Sequence, residues 1–332
     1  MHDNQKQHWT FLILFLCSFA LMTSSILALN VLVDPRGIFG AQLYPVLVVT
    51  GRAEKCDLLK TADPKPEALI LGSSHSMRFS PKKVEELTGL KTFNLSVNAG
   101  KMEDFLALLG YSIHEMHLTP NLIILGICAR TICRREDEDF DNRLTSNPAL
   151  MKYIPQNPFA KASAQWKTYW ETLNWNYLKD VWKSIEIQDA LPAQVNYLFD
   201  ADGFLNREGP FNEPGRFLRG PIQKDCVITG FSEDRKKYFD LFLEACKAHG
   251  IRLEIVITPY APDYIKRVDE LDGSYTRFTN ELIQFLEGRN SDHDFALHDF
   301  SRIENFGGID TFMDAAHTSI AQSSLMLEEI LK

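Results

Sequence analysis

The hydrophobic positions of this chain follow two different patterns. The first is one long apolar run near the N-terminus, over residues 9–32, which contains no charged residue. The second begins near residue 66 and alternates short, wholly apolar runs with longer segments in which apolar residues recur at helical spacing. We therefore expect a membrane-spanning helix followed by an α/β domain, in which helices cover both faces of a parallel sheet.

The run over residues 9–32 is longer than the roughly 20 apolar residues that cross a bilayer core. It has no polar face, which disfavours a core helix of a soluble protein. A cleaved signal peptide is the alternative, because small residues near 26–28 weakly match a cleavage site. We expect an uncleaved single-pass anchor in the lipid bilayer, with residues 1–8 in the cytoplasm. Lys6 and Arg36 nearly balance the positive charge at its two ends.

The remainder predicts a connector over residues 33–65 and a three-layer α/β/α domain over residues 66–332. Short apolar runs that end at turn residues are typical of buried strands. Such runs predict five parallel strands, at 68–71, 91–95, 122–125, 253–257 and 295–298. Helical spacing and capping residues predict the helices between and after them, at 81–88, 103–115, 233–248, 277–287 and 319–331.

The segment over residues 134–230 interrupts this alternation. It begins with an acidic run at 135–140, for which we expect a solvated loop, and it contains four of the five tryptophans, Trp166, Trp170, Trp175 and Trp182. We interpret it as a helical insertion or cap over the sheet, in which the tryptophans pack in the interior rather than form a binding surface.

Charge and cysteine content exclude several functions. The net charge is −9 and no compact basic stripe is present, which argues against a nucleic-acid partner. The six cysteines form no CxxC pair, so we predict neither a metal site nor a cofactor. Buried free thiols are the simplest interpretation. Disulfides between Cys128 and Cys133 or between Cys226 and Cys246 are the alternative.

Two short motifs carry candidate chemistry. The first predicted strand ends in Gly72-Ser-Ser-His-Ser76, and ligands in open α/β sheets bind at the carboxyl ends of strands. Near the C-terminus, Asp314-Ala-Ala-His317 places a carboxylate three residues before an imidazole that it can orient as a base. Each motif alone has a simpler explanation, since serine turns cap helices and aspartates cap turns.

Together these motifs resemble the SGNH (GDSL-like) hydrolase superfamily. In that family a Gly-Asp-Ser or Gly-Ser-Ser turn follows the first strand, and Asp-x-x-His precedes the last helix. The resemblance implies that Ser74 is the nucleophile, His317 the base and Asp314 the residue that orients it. Residues 93–100 match a further family block, which implies that the Gly100 and Ser74 N–H groups line an oxyanion hole.

The sequence also departs from the family. Its Gly-x-Asn-Asp block is absent, because residues 125–130 read Leu-Gly-Ile-Cys-Ala-Arg. Asn98 is a possible substitute for the missing oxyanion donor, and the loss of one such donor typically lowers the rate about 100- to 1,000-fold. Residue 73 is Ser rather than Asp. In this respect the sequence looks more like the membrane-anchored members of the family, which modify surface polymers. These include the D-alanine-transfer protein of teichoic acid modification and the acetyltransferase partners of exopolysaccharides.

Two further residues of the first motif are candidates for substrate binding. Arg78 would neutralise a substrate carboxylate or phosphate, although a surface cation is the simpler explanation. His75 follows the nucleophile directly, and a structural role is the alternative for it.

The function that follows is a membrane-anchored serine O-acyltransferase or esterase with its domain outside the cytoplasm, on the periplasmic or cell-surface side. Its substrate would be an acylated surface glycan, and a multi-spanning membrane acyltransferase its partner. A non-catalytic assembly or binding protein with the same fold is the alternative, favoured by the missing asparagine block. A phosphate-binding α/β protein is disfavoured, because Gly72 is the only glycine in its loop.

Overall fold

The computed structural model describes residues 2–39, 41, 43–47, 51–134, 142–145, 147–155, 166, 168–188, 199–206, 230–302 and 311–332. The acidic run at 135–140 lies outside them. The chain forms two compact units. Unit 1 comprises residues 1–49, 141–147 and 156–196, and unit 2 comprises residues 50–140, 148–155 and 197–332.

The helices, in chain order, are α1 (His2–Val33), α2 (Arg52–Thr61), α3 (Pro81–Thr88), α4 (Met102–His114), α5 (Ala129–Ile132), α6 (Asn142–Thr145), α7 (Pro148–Met151), α8 (Trp175–Glu186), α9 (Glu233–Ala248), α10 (Pro262–Asp272), α11 (Ser274–Asn290) and α12 (Ile320–Ile330). Three of them begin after a serine whose side chain accepts a hydrogen bond from a backbone N–H of the first turn, as the sequence pattern indicates. These serines are Ser80, Ser232 and Ser319.

Unit 2 is built on five parallel strands in the order β2-β1-β3-β4-β5. The strands are β1 (Ala68–Gly72), β2 (Thr92–Asn94), β3 (Leu122–Ile127), β4 (Arg252–Ile257) and β5 (Ala296–Asp299). The chain runs from β1 outward to β2, and then returns across β1 to β3. The direction of winding therefore reverses between β1 and β3, and ligands of such sheets bind at the carboxyl ends of the strands at this point.

Alternate side chains of the strands form the core on the two faces of the sheet. On one face, Ala68 and Ile70 belong to a buried cluster with Val84 of α3 and with Met326 and Leu327 of α12. Leu69 and Leu71 alternate with them and are also fully buried, and α4 packs against α9 elsewhere in the domain. The predicted three-layer α/β/α class with a parallel central sheet is confirmed.

Besides the single-turn helix α5, two longer helices of unit 2 were not expected from the sequence. Residues 52–61 lie in the predicted connector but form α2, whose buried residues include Arg52 and Lys55. Charged residues on its buried side conceal the apolar spacing that normally indicates a surface helix. The second helix, α10, begins at Pro262 and ends before Gly273, which adopts a left-handed conformation. This combination of proline at the start and glycine after the end is a helix signal that the sequence does contain.

In unit 1, Gln7–Val33 of α1 is long and apolar enough to cross a membrane, and none of its most apolar stretch is buried inside the protein. Its last turn is the exception, because Asn30 and Val33 are buried. The Asn30 side chain donates a hydrogen bond to the Thr172 carbonyl at 3.0 Å, and Val33 packs with Tyr177 and Val181 of α8.

The turn after α1 is fixed by buried Asp34, whose carboxylate accepts the N–H groups of Ile38 and Phe39 at 2.7 and 2.9 Å. Arg36 then donates to Asp180 of α8 at 2.6 and 2.8 Å. Part of the predicted insertion, residues 168–188, thus belongs to the same compact unit as α1.

Two expectations about individual side chains are tested by these units. The four tryptophans of the insertion do not pack in an interior, because each has 65% to 70% of its surface exposed. That prediction is wrong. The cysteines at 17, 56, 128, 133 and 246 are free thiols, so the Cys128–Cys133 disulfide is also wrong. Cys226 lies outside the described residues.

Candidate active site

Ser74 lies in a tight turn at the carboxyl end of β1, which ends at Gly72. The turn is closed by the Ser76 N–H, which donates to the Ser73 carbonyl at 3.0 Å. Gly72 permits this arrangement, because a Cβ atom on it would lie 2.5 Å from Ser76 Oγ and 2.7 Å from the Gly126 carbonyl oxygen. Since Gly126 belongs to β3, only glycine at position 72 lets the turn begin beside that strand.

Asp314 and His317 lie in a second tight loop, directly before α12. The Met313 N–H donates to the His317 carbonyl at 2.8 Å and closes this loop. Inside it, Asp314 Oδ1 accepts the N–H groups of Ala316 and His317, each at 2.8 Å. The three-residue spacing thus folds the carboxylate back toward the imidazole, as the sequence motif indicates.

The fold brings these two loops together. His317 Nε2 lies 2.8 Å from Ser74 Oγ, and His317 Nδ1 lies 2.8 and 3.0 Å from the two carboxylate oxygens of Asp314. With Nδ1 protonated and donating to Asp314, Nε2 is the acceptor that faces the serine hydroxyl. This geometry is that of a Ser-His-Asp triad. The structure therefore places all three predicted catalytic residues together.

The electrostatics of Asp314 fit the orienting role. Burial alone would raise the pKa of this carboxyl. The hydrogen bond and the charge of His317, together with the two backbone N–H donors, outweigh that effect and lower the pKa to about 2. Asp314 is therefore ionised at neutral pH, and it can stabilise the imidazolium that forms when His317 takes a proton.

The triad joins a serine in the turn after the first strand to an Asp-x-x-His loop before the last helix. These are the two motifs on which the sequence resemblance depends. The fold class and the three assembled side chains are therefore those that the resemblance implies. No family model matches this sequence, and no curated protein matches it.

The solved structures that are similar to this chain include the following two. One is a protein from Slackia heliotrinireducens described as a proposed SGNH hydrolase, with 13% identity, a TM-score of 0.40, and coverage of 80% of this chain and 98% of that one. The other is a protein from Bacteroides fragilis described as a proposed acylhydrolase, with 9% identity, a TM-score of 0.37, and coverage of 85% and 95% respectively. Because both TM-scores are below 0.5, the chemistry of this chain is inferred from its own side chains.

His75 is buried beside the triad. Its ring lies 4.8 Å from the Tyr260 ring and 5.4 Å from the His317 ring, measured between centroids. Burial, followed by the charges of His317 and Arg130, lowers the pKa of His75 to about 3. The imidazole is thus neutral at neutral pH. Its packing against Tyr260 fits the structural alternative, and a substrate contact by His75 stays a prediction, as does one by half-buried Arg78.

The predicted oxyanion donors lie in two different loops. Ser74 is half-buried in the nucleophile turn, while Asn98 and Gly100 follow β2. The Gly100 N–H donates to the Val97 carbonyl at 3.2 Å, which closes a turn around half-buried Asn98. The assignment of Ser74, Gly100 and Asn98 to an oxyanion hole therefore stays a prediction.

A buried ion pair that the sequence did not indicate supports this second loop. Arg52 of α2 binds both carboxylate oxygens of Asp104, at 2.7 and 2.9 Å, and also donates to the Asn98 carbonyl at 3.0 Å. Asp104 in turn accepts the Lys101 N–H at 2.8 Å. Both charged side chains have no exposed surface. The ion pair thus fixes both ends of the segment from Asn98 to Lys101.

Arg130 lies in the short helix α5, directly after β3, where the resemblance would place the asparagine block. Its guanidinium lies 5.6 Å from the centre of the Tyr260 ring and donates to the Tyr264 hydroxyl at 3.1 Å. The Lys101 ammonium group donates to the Arg130 carbonyl. A cationic side chain packed against two tyrosines therefore lies where the resemblance implies an amide. Within the described residues, no group of three or more His, Cys, Asp or Glu side chains is placed to hold a metal ion.

Proposed function

We propose that this chain is a membrane-anchored serine enzyme that removes or transfers acyl groups of a cell-surface polysaccharide through an acyl-Ser74 intermediate. The observation that carries the proposal is the 2.8 Å contact between His317 Nε2 and Ser74 Oγ, with Asp314 bound to the other ring nitrogen. A serine hydroxyl is a weak nucleophile until such a base accepts its proton.

The reaction has two balanced halves. Ser74 Oγ attacks the carbonyl carbon of an ester while His317 takes its proton, and the tetrahedral intermediate then expels the alcohol, which receives that proton from His317. In the second half, an acceptor hydroxyl attacks the acyl-serine and gives its proton to His317, which returns it to the departing Ser74 oxygen. Water as the acceptor makes the enzyme an esterase, and a sugar hydroxyl makes it an O-acyltransferase.

The anchor supports action at a membrane surface. In the last turn of helix α1, buried Asn30 donates to the Thr172 carbonyl and buried Val33 packs against α8, so the helix is joined to the other segments of unit 1. A retained anchor would hold the acyl-enzyme beside the envelope, on the side opposite residues 1–8. There a multi-spanning acyl-donor protein in the same bilayer would supply the acyl group.

The alternative, a non-catalytic binding or assembly protein, does not explain why the triad is assembled. A binding protein does not need its imidazole between a serine and an ionised carboxylate, whereas acyl transfer needs each contact. The missing asparagine block bears on the rate, because the Ser74 N–H and the Asn98 side chain are still candidate oxyanion donors.

The test uses the full chain in detergent micelles with p-nitrophenyl acetate as acyl donor. We expect release of p-nitrophenol by wild type and its loss in Ser74→Ala. Ser73→Ala is the matched control, since Ser73 is the neighbouring serine and its hydroxyl accepts the His75 N–H, at 3.5 Å, instead of joining the triad. Addition of neutral or uronic-acid oligosaccharides, followed by mass spectrometry, measures how much acetyl passes to sugar and how much to water.

Each outcome bears on a separate part of the proposal. Acetylated sugar that disappears in Ser74→Ala supports transfer, and p-nitrophenol release without acetylated sugar supports the esterase function. A folded wild-type protein that releases p-nitrophenol no faster than Ser74→Ala would contradict catalysis by this triad.

A further inference from the structure

Unit 1 carries a set of exposed tryptophans that the catalytic site does not use. Four of the chain's five tryptophans belong to this set, with 65% to 70% of each side chain exposed: Trp166, Trp170, Trp175 and Trp182. We call them the tryptophan set. Large aromatic side chains in such a group on a small helical unit mark an interaction surface, because soluble proteins rarely expose several together.

Helix α8 separates an interior face from an aromatic face. Tyr177, Val181 and Ser184 are buried within unit 1, whereas Trp175 and Trp182 are exposed. A spacing of seven residues places the two tryptophans on one side of the helix, opposite the buried residues. The aromatic face is therefore not the face that holds α8 in unit 1.

The contacts of unit 1 fix this aromatic face at the end of the apolar helix. Asn30 binds the Thr172 carbonyl, and Arg36 binds Asp180 of α8. In addition, the Ser184 hydroxyl donates to the Pro45 carbonyl at 2.6 Å. These bonds tie the tryptophan-bearing segments to residues 30–45, directly after the part of α1 that is exposed and apolar.

The length of α1 gives the depth of this junction in a bilayer. The 27 residues Gln7–Val33 rise about 40 Å at about 1.5 Å per residue, whereas the hydrocarbon core is about 30 Å thick. The last turn of α1 therefore reaches the headgroup layer, and the segments bonded to it lie at the same depth. Tryptophan is the residue enriched at this layer, because its ring is largely apolar and its N–H is polar.

We propose that the tryptophan set docks unit 1 on the headgroup layer of the bilayer that α1 spans. This inference rests on the proposed membrane anchor and adds a second, peripheral contact with the lipid. The exposed charges of α8 include both Lys179 and Lys183 and the acidic Glu186. Because the signs are mixed, docking depends on the aromatic rings, and neutral phosphatidylcholine is sufficient for it.

The experiment uses three full-length variants, each of which retains only Trp9, Trp175 or Trp182 and has the other four tryptophans replaced by Phe. Each is reconstituted into phosphatidylcholine vesicles with lipids brominated either near the headgroups or near the bilayer centre. We expect Trp175 and Trp182 to lose fluorescence with the shallow bromine and much less with the deep bromine. The variant that retains Trp9 is the reference, since that residue lies at the opposite predicted boundary of the anchor. Far-ultraviolet circular dichroism verifies that each variant is folded, whether or not the proposed enzymatic function holds.

The outcomes separate the docking from the anchor. If shallow bromine quenches Trp9 but neither Trp175 nor Trp182, the anchor stands and the docking inference is overturned. If none of the three is quenched, the anchor itself fails. A third outcome is that lipid bromine does not quench Trp175 and Trp182, while an added oligosaccharide protects them from quenching by iodide. That result would assign the tryptophan set to glycan binding, and would also overturn the inference.

Discussion

Replacement of Arg52 by Met tests how the second loop of the site is held. Arg52 and Asp104 are fully buried and are joined by two hydrogen bonds. Removing one partner of a buried ion pair typically costs about 3–5 kcal/mol, because the remaining charge is left in the interior. Burial raises the pKa of Asp104 above its ordinary value even with Arg52 opposing it. Without Arg52 this carboxyl takes a proton. The variant should therefore lose about 3 kcal/mol of the free energy of unfolding, at the lower end of that range.

The assay is thermal unfolding of the full chain in detergent, together with kinetics on p-nitrophenyl acetate. A loss of about 3 kcal/mol lowers Tm by roughly 6–12 °C in a domain of this size. Arg36→Met is the matched control, because the Arg36–Asp180 pair is about one-third exposed and such pairs contribute about 0–1 kcal/mol. Asp104→Asn combined with Arg52→Met should restore part of the stability, because the double variant has no buried carboxyl that must take a proton on folding.

The kinetics test the connection to catalysis. Arg52 also binds the Asn98 carbonyl, so its loss should lower kcat, with little change in KM for a small ester. The double variant should remain slow even where its stability recovers. A Tm within about 2 °C of wild type would refute the energetic reasoning, since it implies a cost below about 1 kcal/mol. An unchanged kcat would refute the positioning of the loop.

Three further predictions follow from the site and the sheet. Unfolded histidine takes a proton near pH 6.5, whereas His75 in the fold does so near 3. The free energy of unfolding should therefore fall by as much as about 5 kcal/mol as the pH drops through this window, and urea titrations of His75→Gln should lack this component. The lowered pKa of Asp314 adds about 2 kcal/mol to the free energy of unfolding above pH 4, and this contribution is lost as the pH falls toward 2. Asp314→Asn should therefore lack this contribution in the same titrations, even at pH 7. Gly72→Ala should lower Tm and abolish ester hydrolysis, because its Cβ would lie 2.7 Å from the Gly126 carbonyl, while Gly288→Ala in α11, with nothing within 4 Å, should be neutral or slightly stabilising.

Local patterns predicted much of the α/β domain. Helix α3 begins at Pro81 and α9 at Glu233, as expected, because Ser80 and Ser232 precede them and cap their first turns. The strands were found because continuous apolar runs have few other uses in a domain of this type. The triad was identified because a nucleophile turn and an Asp-x-x-His loop each have short-range signatures.

Interactions between distant residues could not be predicted in the same way. Arg52 and Asp104 are 52 positions apart, and each alone has the appearance of a surface charge. Helix α2 was missed for the same reason, since partners elsewhere in the chain make the burial of its charges possible. The tryptophans of unit 1 were assigned to an interior because apolar residues normally lie there. The expectation that apolar residues lie in the interior does not consider a bilayer surface, where exposed tryptophans are also favourable.

The most direct test of the catalytic assignment is covalent labelling of the full chain with a fluorophosphonate, followed by intact-mass measurement and peptide mapping. The account predicts one phosphonyl group per chain, attached to Ser74. Ser73→Ala should label like wild type, whereas Ser74→Ala and His317→Ala should not. A folded wild-type protein that acquires no label, or that acquires it on Ser73 or Ser76, would contradict the assignment.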